Sequence, residues 1–243
     1  MKTGLRQREI LTTMAKTTGS DLLIRALRAE GVDTVFGIAG DHILHMLDTM
    51  FDAPLRMVDF RHESGAVHAA DSYSRILKKG AVMLSTTPGH ANALPALANA
   101  IHSEAPVINI AGSAESPNLG RGAMQEFDQI NAAKPITKGA WEVPSPARIP
   151  EYVALAFRTA LSGRQGPVHL TIPHDFQMAE IEDAEATRYA PSEYVTPLQV
   201  LGDTAQVEKA VDLLNSAQRP MIFAGSSAGA TAIPSEVRRL VET

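Results

Sequence analysis

Leu55-Arg56-Met57-Val58-Asp59-Phe60-Arg61-His62-Glu63-Ser64-Gly65-Ala66 reads as a strand running straight into a helix. Residues 55–60 alternate as an extended segment does, and from Ser64 to Arg75 the small residues Ala66, Ala69 and Ala70 share one helical face. Glu63 falls on the short turn between the two. In open parallel α/β sheets ligands bind in the crevice at the carboxyl edge of the strands. That is a natural place for an acid–base group. The competing reading is an acid that merely caps the helix.

The same alternation extends in both directions. Upstream, Leu22, Leu23, Ala26 and Leu27 have helical spacing over Asp21–Glu30, with Ser20 as the expected N-cap and Gly31 as the stop. Thr34-Val35-Phe36 is a short strand entering the glycine-rich turn Gly37-Ile38-Ala39-Gly40-Asp41, and Ile43, Leu44, Leu47 and Met50 mark a second amphipathic helix. Downstream, Ala81-Val82-Met83-Leu84 and Pro106-Val107-Ile108-Asn109-Ile110-Ala111 are runs expected of strands buried on both faces. An Ala- and Leu-rich helix lies between them, to about Ser103. A long loop to Glu126, a helix over Glu151–Leu161 and a strand ending at Pro173 follow. This βαβα order predicts an α/β fold, a doubly wound parallel sheet covered by helices on both faces. Four unusual loops, 37–42, 60–64, 85–92 and 112–126, should then emerge on one edge. They carry Gly40, Asp41, His42, Glu63, Pro88, His90, Asn92 and Gln125.

Composition excludes several alternatives. The 243 residues contain no cysteine, so disulfides, thiolate nucleophiles and cysteine metal sites are out. A net charge of −5 gives no reason to expect nucleic acid or a membrane surface as partner. No apolar run approaches the roughly 18 residues of a membrane span. Residues 1–17 read as a flexible extension without a signal-peptide core, and a cytoplasmic location is expected. The eight histidines show no metal-ligand spacing, so no metal site is expected on this chain. From Glu180 the texture turns acidic and then proline-bearing, which predicts a linker over 181–203. A second unit over 204–243 should comprise a helix at Ala205–Ser216, a strand at Met221-Ile222-Phe223-Ala224, the turn Gly225–Ala230 and a final helix. One strand and two helices are too few to bury a core, so this unit reads as the beginning of a domain. Gly225–Ala230 could cradle a phosphate, but it lacks the full Gly-x-Gly-x-x-Gly fingerprint and a plain tight turn is the preferred reading.

Arg61-His62-Glu63-Ser64-Gly65-Ala66, Thr87-Pro88-Gly89-His90-Ala91-Asn92 and Met124-Gln125-Glu126-Phe127-Asp128 resemble the pyrimidine-binding domain of thiamine-diphosphate enzymes, over residues 18–180. The part from about 195 resembles the start of that family's central Rossmann-like domain. The resemblance implies that Glu63 activates the cofactor by bonding its aminopyrimidine ring and favouring the imino tautomer, which takes the proton from the thiazolium C2 carbon. It implies that Gly40, Pro88 and Asn92 lie at the cofactor, that Gln125 points toward the reacting carbon, and that Asp41, His42 and His90 are substrate-side candidates. Leu94–Ala100, Ile110–Glu115, Asp128–Pro135 and Ser162-Gly163-Arg164 look most like oxalyl-CoA decarboxylase and 2-hydroxyacyl-CoA lyase. Pro135-Ile136-Thr137-Lys138 and Gln125-Glu126 are equally similar to acetolactate synthase.

A thiamine-diphosphate lyase or carboligase acting on an acyl-CoA or a 2-oxo acid is therefore expected. The family's Gly-Asp-Gly…Asn motif for the diphosphate and Mg²⁺ is not matched here. Mg²⁺ would thus bind through another domain, in a homodimer, a homotetramer or a pairing with a second chain. ADP or FAD would sit on the central domain. The rival readings are a noncatalytic partner subunit and a nucleotide-binding protein working through Gly225–Ala230.

Overall fold

The computed structural model describes residues 16–186, 202–225 and 234–242. In chain order the elements are β1 (Lys16–Thr18), α1 (Gly19–Ala29), β2 (Thr34–Gly37), α2 (Leu44–Phe51), β3 (Arg56–Asp59), α3 (Glu63–Leu77), β4 (Ala81–Ser85) and α4 (Thr87–His102). There follow β5 (Val107–Ser113), α5 (Gln129–Ala133), β6 (Ala140–Glu142), α6 (Ile149–Leu161), β7 (Val168–Pro173), α7 (His174–Met178), β8 (Glu180–Glu182), α8 (Thr204–Ser216) and α9 (Pro234–Glu242). The expected extension before residue 16, most of the expected linker and residues 226–230 of the expected phosphate turn lie outside the described residues.

Six strands form one sheet in the order β3-β2-β4-β5-β7-β6, and every pair in it is parallel. This is the predicted α/β doubly wound architecture. Along β4 the side chains alternate between two cores. Val82 and Leu84 join Leu22, Leu27, Met46, Ile149 and Phe157 from α1, α2 and α6. Ala81 and Met83 join Ala66, Val67, Ala70, Ala93 and Leu97 from α3 and α4. The continuous apolar run 81–84 is thus explained by burial on both faces, each residue being at most 1% exposed.

The chain passes from β2 to β3 on one side and then crosses back to β4 on the other. The loops after β2 and β4 consequently diverge to opposite faces, since α2 packs in the first core and α4 in the second. Such a divergence marks the switch point beside which ligands bind in open α/β sheets.

Local chemistry departs from the sequence expectation at several points. Thr18, not Ser20, caps α1: its hydroxyl accepts from the Asp21 backbone N–H, and the Asp21 carboxylate accepts from the Thr18 backbone N–H at 2.9 Å. This reciprocal box satisfies two helix-end donors at once, which a lone Ser20 could not. The acidic stretch after residue 179 begins as β8, antiparallel to β1, with Lys16–Glu180 and Arg25–Asp183 ion pairs at 3.0 and 2.9 Å. The expected strand at 221–224 is absent, and Met221 and Phe223 are 78% and 91% exposed. No described strand lies beside it, and an isolated strand leaves its backbone groups unpaired. α8 forms as expected, capped by Asp203, with Val207, Val211 and Leu213 exposed. No helix among the described residues is long and apolar enough to cross a membrane.

Candidate active site

Glu63 is the first residue of α3, directly after the edge strand β3. The capping reading fails here on a specific contact. His62 is the N-cap, in extended backbone, and its Nδ1 accepts from the Ser64 backbone N–H at 3.2 Å. The Glu63 carboxylate is left for other work. Its Oε2 accepts from Asn92 Nδ2 at 3.0 Å, whereas Oε1 accepts no hydrogen bond from the described residues. The side chain is half-buried. The adjacent Ser64 hydroxyl donates to the Asn92 carbonyl at 2.6 Å, so the start of α3 and the second turn of α4 are tied by two bonds.

The stretch expected to be a loop over 85–92 is mostly helix, because α4 begins at Thr87. Pro88 is tolerated there since a first-turn N–H has no intrahelical partner to lose. Pro88 and Asn92, four apart, lie on one exposed face. Gly89 lies beneath, against Glu63. A β-carbon at 89 would stand 2.8 Å from Glu63 Oε1 and 2.9 Å from Ser85 Cβ. Gly89→Ala should therefore cost about 2 kcal/mol by overpacking, more than the helix propensity it gains. At Gly65 an added β-carbon would meet only the Phe60 ring, at 3.5 Å. Gly65→Ala is the matched control, expected to be neutral or stabilising by up to about 1 kcal/mol. Urea unfolding of the two variants checks the contrast.

The other loops close on the same region. A β-carbon at Gly40 would lie 2.5 Å from Thr86 Cγ2, which brings the β2 loop against the start of α4. The Thr87 hydroxyl is 3.2 Å from the Gly112 carbonyl, linking α4 to the end of β5. Asp41 is exposed and caps nothing: Gly40 precedes the short turn of helix at 41–43, and Ile43 precedes α2.

Gln125 is exposed, on left-handed backbone at φ 58°. Its neighbour Glu126 organises the loop by accepting from the backbone N–H groups of Gly120, Gly122 and Ala123, the latter two at 3.0 Å. Those donors, Gly120 foremost, hold its carboxyl below the ordinary range.

Two candidates move inward. His42 is 4% exposed, with Nδ1 3.3 Å from the Thr87 hydroxyl, and burial lowers its pKa. His90 is fully buried, stacked on His169 at 3.9 Å between ring centres, and burial pulls its pKa down to about 4. Both rings are buried, so Asp41 alone of the three substrate-side candidates stands at the surface. Sequence reading missed Asn109, His169, Thr171 and Gln129, all buried. The available signal was the polar residues alternating with Ile and Leu inside β5 and β7.

Residues 17–132 match the family model described as thiamine pyrophosphate enzyme, N-terminal TPP binding domain. The chain belongs to the thiamine-diphosphate-dependent enzyme family through this domain. Among curated relatives it is 35% identical over 233 residues to a probable acetolactate synthase large subunit of Methanocaldococcus jannaschii, covering 92% of this chain and 38% of that protein. It is 33% identical over 231 residues to oxalyl-CoA decarboxylase of Escherichia coli K12, covering 93% and 41%. A solved structure of the thiamine diphosphate-dependent 4-hydroxybenzoylformate decarboxylase of Rhodococcus jostii RHA1 superimposes with a TM-score of 0.81 at 26% identity, over 93% of this chain and 42% of that one. The chain thus spans about two fifths of the length of the relatives it matches.

Proposed function

We propose that this chain is the pyrimidine-binding part of a thiamine-diphosphate-dependent carbon–carbon lyase or carboligase, with Glu63 as the acid–base group at the cofactor. One observation carries the reading. Glu63 stands at the carboxyl edge of the sheet, half-buried, with one oxygen held by Asn92 and the other accepting no hydrogen bond from the described residues. That donor set fits an aminopyrimidine ring: a carboxyl that can share a proton with a weakly basic ring nitrogen. When bound, the cofactor supplies an electron sink for breaking a bond beside a carbonyl.

The residues of this chain do the rest. Asn92 orients the Glu63 carboxylate, and Gly89 lets it lie flat against α4. Pro88, Asn92 and the Gly40 turn wall the ring, and Gln125 and Asp41 stand on the substrate side. The diphosphate and Mg²⁺ would be held by another domain, as the unmatched Gly-Asp-Gly…Asn motif implies. That domain comes from a second copy of the chain's own protein or from a partner chain. Residues 18–180 form the pyrimidine domain, 181–203 the connection and 204–243 the start of a central domain, where ADP or FAD would bind.

The motifs quoted for acyl-CoA enzymes put that substrate class first on sequence. The relatives support an acetolactate synthase-like 2-oxo acid enzyme at least as well. We therefore place 2-oxo acid decarboxylation with carboligation in front and the acyl-CoA reaction second. The assembly containing this chain, supplied with thiamine diphosphate and Mg²⁺, should release carbon dioxide from 2-oxo acids. Release from oxalyl-CoA alone would reverse the order of substrates. Release from neither, with no cleavage of a 2-hydroxyacyl-CoA, would contradict the function.

A further inference from the structure

The second face of β5 and β7 should be apolar, yet it carries Asn109, His169 and Thr171, each at most 1% exposed. Together with His90, Gln129 and Thr87 they form one connected set of hydrogen bonds, and its directions can be deduced. Asn109 Nδ2 lies 2.8 Å from His90 Nδ1 and 2.9 Å from His169 Nδ1, so one amide donates its two protons to two rings. Both Nδ1 atoms are then acceptors, and both rings carry their proton on Nε2. His90 Nε2 accordingly donates to the Gln129 carbonyl at 3.2 Å, an oxygen that can only accept. His169 Nε2 donates to the Thr171 hydroxyl at 2.8 Å, and that hydroxyl donates to Gln129 Oε1 at 2.9 Å. Gln129 Nε2 donates to Thr87 Oγ1 at 2.9 Å and to the Gly112 carbonyl at 3.0 Å. Both chains of bonds are anchored on backbone carbonyls, which leaves neither histidine room for a second proton.

Every path converges on Gln129. It is 3% exposed, follows the loop that carries Gln125, and bonds α4, β5 and β7 through one side chain. Thr87, its contact on α4, opens the helix whose first two turns hold Gly89 and Asn92 against Glu63. We propose that Gln129 is a positioning residue, which fixes the Gln125 loop in register with the Asn92–Glu63 pair. The link to catalysis rests on the function proposed above, whereas the clamping of the loop does not.

Hydrogen exchange on this chain without cofactor reads the clamp directly. Gln129→Met keeps the volume and removes the three side-chain bonds. Amides of residues 113–128 should then exchange about tenfold faster, the equilibrium factor of one or two hydrogen bonds, while those of α1 and α6 keep their rates. Of the three Gln129 bonds, Thr87→Val cuts only the one to α4, along with the Thr87 hydroxyl's own contacts to Gly112 and His42, and should give a smaller rise centred on the same loop. It keeps the test open should the Gln129 variant fold poorly. Nitrogen-15 spectra should show His90 and His169 as neutral Nε2–H rings in the wild type. Unchanged loop exchange in both variants, or an equal rise in α1 and α6, would overturn the proposal. In the cofactor-loaded assembly Gln129→Met should lower kcat about tenfold with little change in the cofactor's KM, the pattern of lost positioning. Loss of the clamp with no fall in kcat sinks the positioning role, and an indifferent Glu63→Gln variant separately sinks the function.

Discussion

Glu63→Gln should abolish cofactor-dependent turnover by about a thousandfold or more while the fold stays intact. The substitution keeps the side chain's length and shape, so the contact with Gly89 and the packing beside Ser85 are retained. Asn92 can still donate to the amide oxygen of the new residue. What disappears is the exchangeable proton, and an acid–base group that can neither give nor accept one loses its contribution, typically two to four orders of magnitude. Because Glu63 is half-buried and its Oε1 accepts no hydrogen bond from the described residues, the change should alter unfolding free energy by no more than about 0.5 kcal/mol. Turnover and denaturation measured on the same preparation separate the two effects. A variant that is both inactive and unfolded would say nothing for catalysis, whereas a folded variant with undiminished turnover would refute the role.

The second large effect is on stability in mild acid. His90 is buried neutral with its pKa pulled from 6.5 to about 4, and His169 is held well below 6.5, by burial first and by His90 second. Between pH 6.5 and 4 the unfolded chain therefore binds protons that the folded chain refuses, so stability falls as pH falls through that window. For His90 alone the full span is about 3 kcal/mol. Burial acts in the opposite direction on Glu30, raising its pKa from 4.5 to about 7, and likewise raises Glu142. Each of these binds a proton on folding and loses stability as pH rises. Glu30 is only partly buried, so its share is discounted for solvent screening. The histidines win, and unfolding free energy should drop by about 2 kcal/mol from pH 6.5 to 5. Glu30→Gln should steepen that drop. The carboxyls held low, such as Glu126, Asp128 and Glu151, add their loss only at lower pH. A flat profile between pH 6.5 and 5 would contradict the neutral, anchored network.

Much of this molecule was legible in the residues because its long elements obey simple periodicities. The run at 81–84 announced a strand covered on both sides, and the Leu22–Leu27 spacing announced α1. The position of Glu63 followed from the change of period around it. Three kinds of feature were hidden. The three-residue strands β1, β6 and β8 are too short to show alternation, and each exists only because a neighbour supplies hydrogen bonds. Caps depend on which of several eligible side chains reaches a free N–H, so Thr18 and His62 took places for which Ser20 and Glu63 were also eligible on sequence. The burial of His42 and His90 could not be read either. A histidine is buried when partners far away in the chain satisfy it, and Asn109, Gln129 and Thr171 become its neighbours only once the sheet is assembled.

The most direct test follows the proton itself. Thiamine diphosphate bound to the assembly that contains this chain exchanges its thiazolium C2 proton with deuterated water, and quenched-flow NMR measures the rate. With Glu63 as the activating acid, exchange should slow by about a hundredfold or more in the Glu63→Gln variant while the cofactor remains bound. Equal exchange rates in wild type and variant would show that another group does this work.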